Sequence, residues 1–381
     1  MKQIKLNGFQ KLVCFSLAAI LCVALLGFAV GGLQTDNSKL PNDSGNVSDT
    51  TDKTDENKGE STEPPQNNDN NDSNVNTPPP EEEVQTEYIN NLTGFKISRE
   101  EYNSTPLAAV IDPKSALYGV SSIDLAIEFP IENGSTRMLC YSSNRNSLWK
   151  IGALMPTRDF ISDMSVFFGG IVVSYGNDDV VIYDAWETDA FLLDVSRYNS
   201  CYYIENTLYV YTSEALINSA KEKSGLSTAT LPYNTAPYEF LNEGYFVGTS
   251  SATTVTLPYS NGNETELYYH EKSGEYLYYK AGNRKVDMLT GKNLTFKNIF
   301  ILFADTTTYE RSDGTETVVD VRSGGKGYYI SEGRFCEFRW QTDNTGKLSF
   351  VSLDGEPLLV NIGNGYIAYY KSTSEAKITI R

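Results

Sequence analysis

Between Asp36 and Glu83 the chain offers three aliphatic side chains, Leu40, Val47 and Val75, and no aromatic ring. A segment so poor in apolar surface cannot offset the entropy lost on ordering it, so it is expected to remain disordered. Thirteen acidic residues against three basic ones give this stretch a net charge of −10, out of −18 for the 381-residue chain. Most of the acidity therefore belongs to a linker, which we assign to residues 34–87. At roughly 5.5 Å times the square root of its length, such a chain spans about 40 Å, and charge repulsion and the Pro78-Pro79-Pro80 run extend it further.

Ahead of the linker, Leu12 to Leu33 runs for 22 positions without a charge, behind Lys2, Lys5 and Lys11. This pattern reads as an export segment, 12–33, with a basic cytoplasmic head, 1–11. Its length favours a retained transmembrane helix over a cleaved signal, whose apolar core runs about 7–15 residues. The small residues Ala29 to Gly32 offer a cleavage site as the alternative. A third route is lipidation at Cys22, against which stands Leu21, where lipoprotein signals carry a small residue. All three routes place the rest of the chain outside the cytoplasm.

Only residues 84–381 can build a core, and they carry a net −11. An acidic surface excludes nucleic acid as the main partner. Cys140, Cys201 and Cys336 are an odd set of thiols outside the apolar segment, which is no disulfide framework and reads as buried apolar side chains. The fold class expected is α+β, with a mixed α/β domain over 88–244 and a mostly antiparallel β domain over 245–381. In the first, 106–112, 124–131, 136–142, 170–176 and 179–186 are short apolar runs bounded by turn residues, as strands are. Phe160, Ile161, Met164, Phe167 and Phe168 fall on one face of a helix capped by Thr157. A second helix begins after Thr212-Ser213 and ends at Gly225, with Ala215, Leu216, Ser219 and Ala220 on one side. Beyond residue 245, turn signals such as KSG, AGN, SEG and GNG recur at short spacing, which is a β meander.

The only histidine, His270, sits in LYYHEKSGEYLYY. A three-residue loop, Lys272-Ser273-Gly274, pairs Glu271 with Glu275 and His270 with Tyr276. Alternation then puts Tyr268, His270, Tyr276 and Tyr278 on one face and Leu267, Tyr269, Leu277 and Tyr279 on the other. The leucine face is the expected core, which leaves His270 on the wet side, with no neighbour to tune it as a base. With it goes any Ser-His, Cys-His or histidine-metal chemistry. The tyrosine pairs 202–203, 328–329 and 369–370 place one ring on each face of their strands, either as cross-strand packing or as a sugar-stacking platform.

No cofactor motif and no metal-ligand set emerges: SGGKG (Ser323 to Gly327) lacks the spacing and helix of a phosphate loop, and Asp69-Asn70-Asn71-Asp72 and Asp313-Gly314 lack the ligand ladder of a calcium loop. The polar cluster with most content is ENGSTR (Glu132 to Arg137) with PTRD (Pro156 to Asp159). Arg137 and Arg158 have the planar fork that pairs with carboxylate or phosphate, and the amides after Thr157 add donors. Ion pairs with Asp112, Glu128, Glu132 or Asp159 account for the same residues. Arg137, Arg158, Asp112, Glu132 and Thr157 are thus the candidate binding residues, and no catalytic residue is assigned.

Six stretches, taken in order, resemble the YerB-like bacterial lipoproteins of unknown function: PLAAVID (106–112), IDLAIE (123–128), ENGSTR (132–137), GALMPTR (152–158), VYTS (210–213) and GGKG (324–327). The resemblance implies an envelope location and a two-part organisation, and no reaction. Met155 stands where that family has an arginine, and Leu208 lies nearest the place of a histidine that often precedes its L-Y-T-S.

The reading that follows is an extracytoplasmic, membrane-tethered module that binds a cell-wall polymer or an envelope protein. The first alternative is a carboxylate-based enzyme on wall glycan, with Asp112, Glu128 or Glu132 as acid and base, which requires two carboxyl groups about 5–9 Å apart in a cleft. The second is a structural scaffold for an envelope complex, which requires a large apolar surface patch and no pocket.

Overall fold

The computed structural model describes residues 87–145, 148–176, 191–226, 236–246, 248–311, 314–343 and 346–381. The segment 12–33 with Cys22, the linker apart from Glu87, and the expected strand 179–186 lie outside the described residues. Among the described residues no helix is long and apolar enough to cross a membrane.

In chain order, the first-half strands of the main sheet are β1 (Leu107–Ile111), β2 (Leu125–Pro130), β3 (Thr136–Ser142), β4 (Ile171–Ser174) and β5 (Leu192–Asp194). They are followed by β6 (Ser250–Ser251), β7 (Thr254–Pro258), β8 (Glu264–His270), β9 (Glu275–Lys280), β10 (Asn298–Ala304) and β11 (Thr306–Arg311). The last are β12 (Gly314–Val319), β13 (Gly325–Ser331), β14 (Arg334–Thr342), β15 (Leu348–Val351), β16 (Gly365–Lys371) and β17 (Thr379–Ile380). Three α-helices accompany them among the described residues, α1 (Arg99–Asn103), α2 (Asp159–Phe168) and α3 (Glu214–Ser224). The fold is mostly β, with a smaller helical share than an α/β first half implies.

The main sheet has eleven strands in the order β6-β14-β13-β10-β16-β2-β3-β1-β4-β5, with β15 also beside β14. It crosses the expected domain boundary at residue 245, because β16 lies parallel to both β10 and β2 and so joins the two halves in one sheet. The described residues belong to one compact unit. Strands covered on both faces read as nearly unbroken apolar runs, and β1, β3, β10 and β16 do so, each buried along almost its whole length. Their residues alternate between two cores: Tyr366, Ala368 and Tyr370 enter one, Ile367 and Tyr369 the other. Both members of the 369–370 tyrosine pair are therefore buried, against the expectation of a wet face.

A second sheet, β9-β8-β7-β17 with two short flanking strands, closes one core through Val255, Leu257, Leu267, Tyr276 and Tyr278. The five apolar residues of α2 close the other. The residue preceding α2, its N-cap, is Arg158, not Thr157, and no side chain caps it. α3 starts and ends as its caps dictate, with the Ser213 hydroxyl accepting from the Leu216 amide and Gly225 left-handed at φ 82. It turns Ile217, Ala220 and Lys221 inward, so the expected face was rotated by about one residue.

The β8–β9 hairpin slips by one from the expected register: His270 pairs with Glu275, and Leu267 with Tyr278. A four-residue loop replaces the three-residue one, and a one-residue slip exchanges the faces of a strand. Tyr276, Tyr278 and Lys280 consequently point inward. His270 remains exposed, with its Nδ1 3.0 Å from the Ser273 hydroxyl. Cys140 and Cys201 are buried, Cys336 is half-buried, and all three are free.

Candidate functional site

Three neighbouring parallel strands, β10, β16 and β2, begin side by side, and a cleft of about 780 Å³ opens at their amino ends. Asp124, immediately before β2, lies in its wall together with Asn364 and Lys297, the residues immediately before β16 and β10. The segment between Asn90 and Glu101 adjoins Asp124 in the lining, and exposed loop residues around Tyr245 complete it.

Asn90 fixes that wall. Its Nδ2 donates to Asp124 Oδ1 at 3.1 Å and to the Ser143 hydroxyl at 3.0 Å, while its own oxygen accepts from the Leu92 amide at 2.8 Å. Tyr238 donates to the Leu92 carbonyl at 3.0 Å, and the Gly363 amide to the Thr93 carbonyl at 2.8 Å. The short helix α1 brings in Glu101, whose carboxylate accepts from the Ser98 amide while the Ser98 hydroxyl accepts from the Glu101 amide. This reciprocal capping box needs the S-x-x-E spacing, which Ser98 to Glu101 provides.

The Asp124 carboxyl accepts from Asn90 and, at 2.6 Å, from the Ser143 amide. Burial outweighs these hydrogen bonds, and with the charge of Glu101 it raises the carboxyl to about 6. A carboxyl with a displaced pKa in a cleft of this size marks a candidate functional site. On the other side Lys297 forms an ion pair with Glu332, donates to the Gly274 carbonyl at 3.2 Å and lies 5.3 Å from the Tyr245 ring centroid. Tyr245 is 72% exposed and Phe95 53%, so two rings stand in water at a cleft with an amide and carboxyl floor.

The residues singled out in the sequence lie elsewhere. Asp112 closes a turn after β1, accepting from the Lys114 amide at 2.9 Å and the Ser115 hydroxyl at 2.6 Å. Glu132 and Arg158 meet at 3.1 Å, and Glu132 also accepts from the Thr317 amide at 2.9 Å. Arg137 is buried, with Nη1 3.5 Å from the carbonyl of Thr157, itself buried. Glu128 is fully buried against Lys280. Arg158 thus answers Glu132 and Lys280 answers Glu128 inside the fold, and none of these six residues lines the cleft. Among the described residues no cluster of three or more His, Cys, Asp and Glu side chains is arranged to hold a metal ion.

Residues 255–367 match the family described as "Protein of unknown function (DUF3048) C-terminal domain". "Putative lipoprotein YerB" of Bacillus subtilis (strain 168) is 26% identical over 277 residues, covering 66% of this chain and 78% of the relative. The chain is homologous to YerB. The crystal structure of the Bacillus subtilis YerB protein has the same fold, with a TM-score of 0.65 at 24% identity over 77% of this chain and 99% of that one.

Proposed function

We propose that the folded part is a binding module of the bacterial cell envelope, and that its cleft takes a hydroxyl-rich stretch of wall glycan. The observation that carries this is the pairing of two exposed rings, Tyr245 and Phe95, with the hydrogen-bonding floor of Asn90, Asp124 and Ser143 in one cleft of about 780 Å³. Aromatic faces pack on the apolar CH surface of a sugar while polar groups fix its hydroxyls. Glu101, Asp124, Glu243 and Glu275 line the cleft against Lys297, which Glu332 neutralises. That balance disfavours an acidic polymer, and the cleft itself counts against a scaffold without pockets. Sedimentation of the full-length protein with purified sacculi, followed by analysis of released fragments, tests the reading: saturable binding without fragments is expected, and no binding would redirect the site to a protein partner.

Glycan cleavage is the second reading, because a carboxyl at about 6 beside Glu101 resembles the acid and base of such chemistry. Against it, both Asp124 oxygens already accept hydrogen bonds from within the protein. Released fragments in the same sedimentation would establish it.

The lipoprotein name of the YerB relative supports membrane attachment through a lipid on Cys22 over a retained helix of residues 12–33. Mass spectrometry of the amino-terminal peptide separates the two: a lipid-modified Cys22 at the new terminus is expected, and an intact peptide from Met1 would establish the helix.

A further inference from the structure

The strands that open the cleft at their amino ends meet a second depression, of about 330 Å³, at their carboxyl ends. Pro130 and Ile131 leave β2 there, Lys371 ends β16, and Thr306 follows β10. The six residues of β2, at about 3.3 Å each, put roughly 20 Å between the two sites.

The lining differs in kind from that of the cleft. The β11–β12 hairpin pairs Thr308 with Thr317 and Glu310 with Thr315, so period-two alternation puts Thr306, Thr308, Thr315 and Thr317 on one face, and all four line the groove. Lys371 and Lys377, both exposed, line the same groove beside this hydroxyl ladder. Tyr259 adds a ring, set edge-on to Tyr370 at 5.4 Å. No carboxylate lines the groove. Of the acids nearby, Glu132 pairs with Arg158 and accepts from the Thr317 amide, Glu375 pairs with Lys326 at 2.9 Å and accepts from the Tyr328 hydroxyl, and Asp305 accepts from the Ser372 hydroxyl at 2.8 Å, while the exposed Glu310 continues the threonine face just beyond the groove lining. In a folded part of net charge −11, the groove lining itself carries two ammonium groups and no carboxylate.

The turn at Gly134, which lines the groove, packs closely against Ser260. Gly134 adopts φ +67, and a Cβ there would lie 2.3 Å from that of Ser260, so only glycine lets the turn dock, with its carbonyl accepting from the Ser260 hydroxyl at 3.2 Å and from Asn263.

We propose that this groove is a second ligand site, built for a phosphate or phosphodiester group, the lysines meeting the charge and the threonine ladder the oxygens. The site stands whether or not the cleft binds glycan. Calorimetric titration of the full-length protein in detergent with two probes, inorganic phosphate and an oligomer of glycerol phosphate, tests it. We expect saturable binding that Lys371→Gln with Lys377→Gln weakens at least tenfold, while Lys292→Gln, an exposed lysine elsewhere, changes it less than twofold. Equal affinity for both probes would identify phosphate itself as the recognised group; tighter oligomer binding would identify the polyol chain as part of the ligand. The proposal is overturned if neither probe binds saturably, if the double variant binds like the parent, or if Lys292→Gln weakens binding equally. Both substituted lysines are exposed, so an unchanged melting temperature is the folding control.

Discussion

Glu128 and Lys280, 152 residues apart in sequence, meet at 2.6 Å with neither side chain exposed. The first belongs to β2 of the main sheet and the second to β9 of the smaller one. Tyr366 donates to the Glu128 carboxylate at 2.6 Å, Tyr278 at 3.0 Å and Thr265 at 2.9 Å, so the acid is surrounded by donors from three strands. Burial alone would raise this carboxyl; the Lys280 ammonium and the hydroxyl donors outweigh it and hold the group below its ordinary value. A shift of either strand would leave one of the two charges buried and unanswered.

Lys280→Met should therefore destabilise the protein by about 3–5 kcal/mol, because it strands the Glu128 charge. Combining it with Glu128→Gln should cost less than the sum of the single substitutions, since the unanswered charge is then gone. Urea unfolding of the four proteins reads this out. A Lys280→Met variant within about 1 kcal/mol of the parent would show that the pair does not key the sheets.

Asp124 makes stability depend on pH. Its carboxyl lies at about 6 in the fold against 3.8 when free, so over that interval the folded chain binds the proton more tightly than the unfolded one. The stability this group contributes is fully present below pH 3.8 and lost as pH rises through 6. A shift of this size corresponds to on the order of 2–3 kcal/mol. Asp124→Asn should flatten the stability profile between pH 4 and pH 7 relative to the parent, whatever its baseline cost. Parallel profiles from denaturant unfolding across that range would contradict the assignment.

Arg158→Ala removes the partner of Glu132, a pair with side chains 18% and 13% exposed. The loss should be about 1–3 kcal/mol in stability. Sacculus binding at the cleft should stay within twofold of the parent, since neither residue lines it. A binding loss larger than the stability loss explains would return the arginine cluster to the ligand.

The elements with a strong local signal were legible in the sequence. The apolar runs became β1 to β4 within a residue or two, and the phenylalanine-rich face of α2 and the caps of α3 appear as read. Register was less accessible, because a three-residue and a four-residue loop fit the same KSG turn, and choosing the shorter one put Lys280 in water. That single slip concealed the Glu128–Lys280 pair. The joining of both halves in one sheet was hidden for a different reason: the parallel neighbours of β16 are remote in sequence, and no local pattern states which strands pair. The cleft was missed because its residues come from seven separate stretches, of which only the Ser98–Glu101 capping box carries a spacing to find.

The central claim is that exposed rings at the cleft hold wall glycan. Its most direct test is the affinity of purified sacculi for the full-length protein and for Tyr245→Ala with Phe95→Ala, whose exposed positions leave the core intact. Saturable binding by the parent and a loss of about tenfold or more in the double variant are expected, the scale of two lost ring contacts. Undiminished binding by the double variant would contradict it.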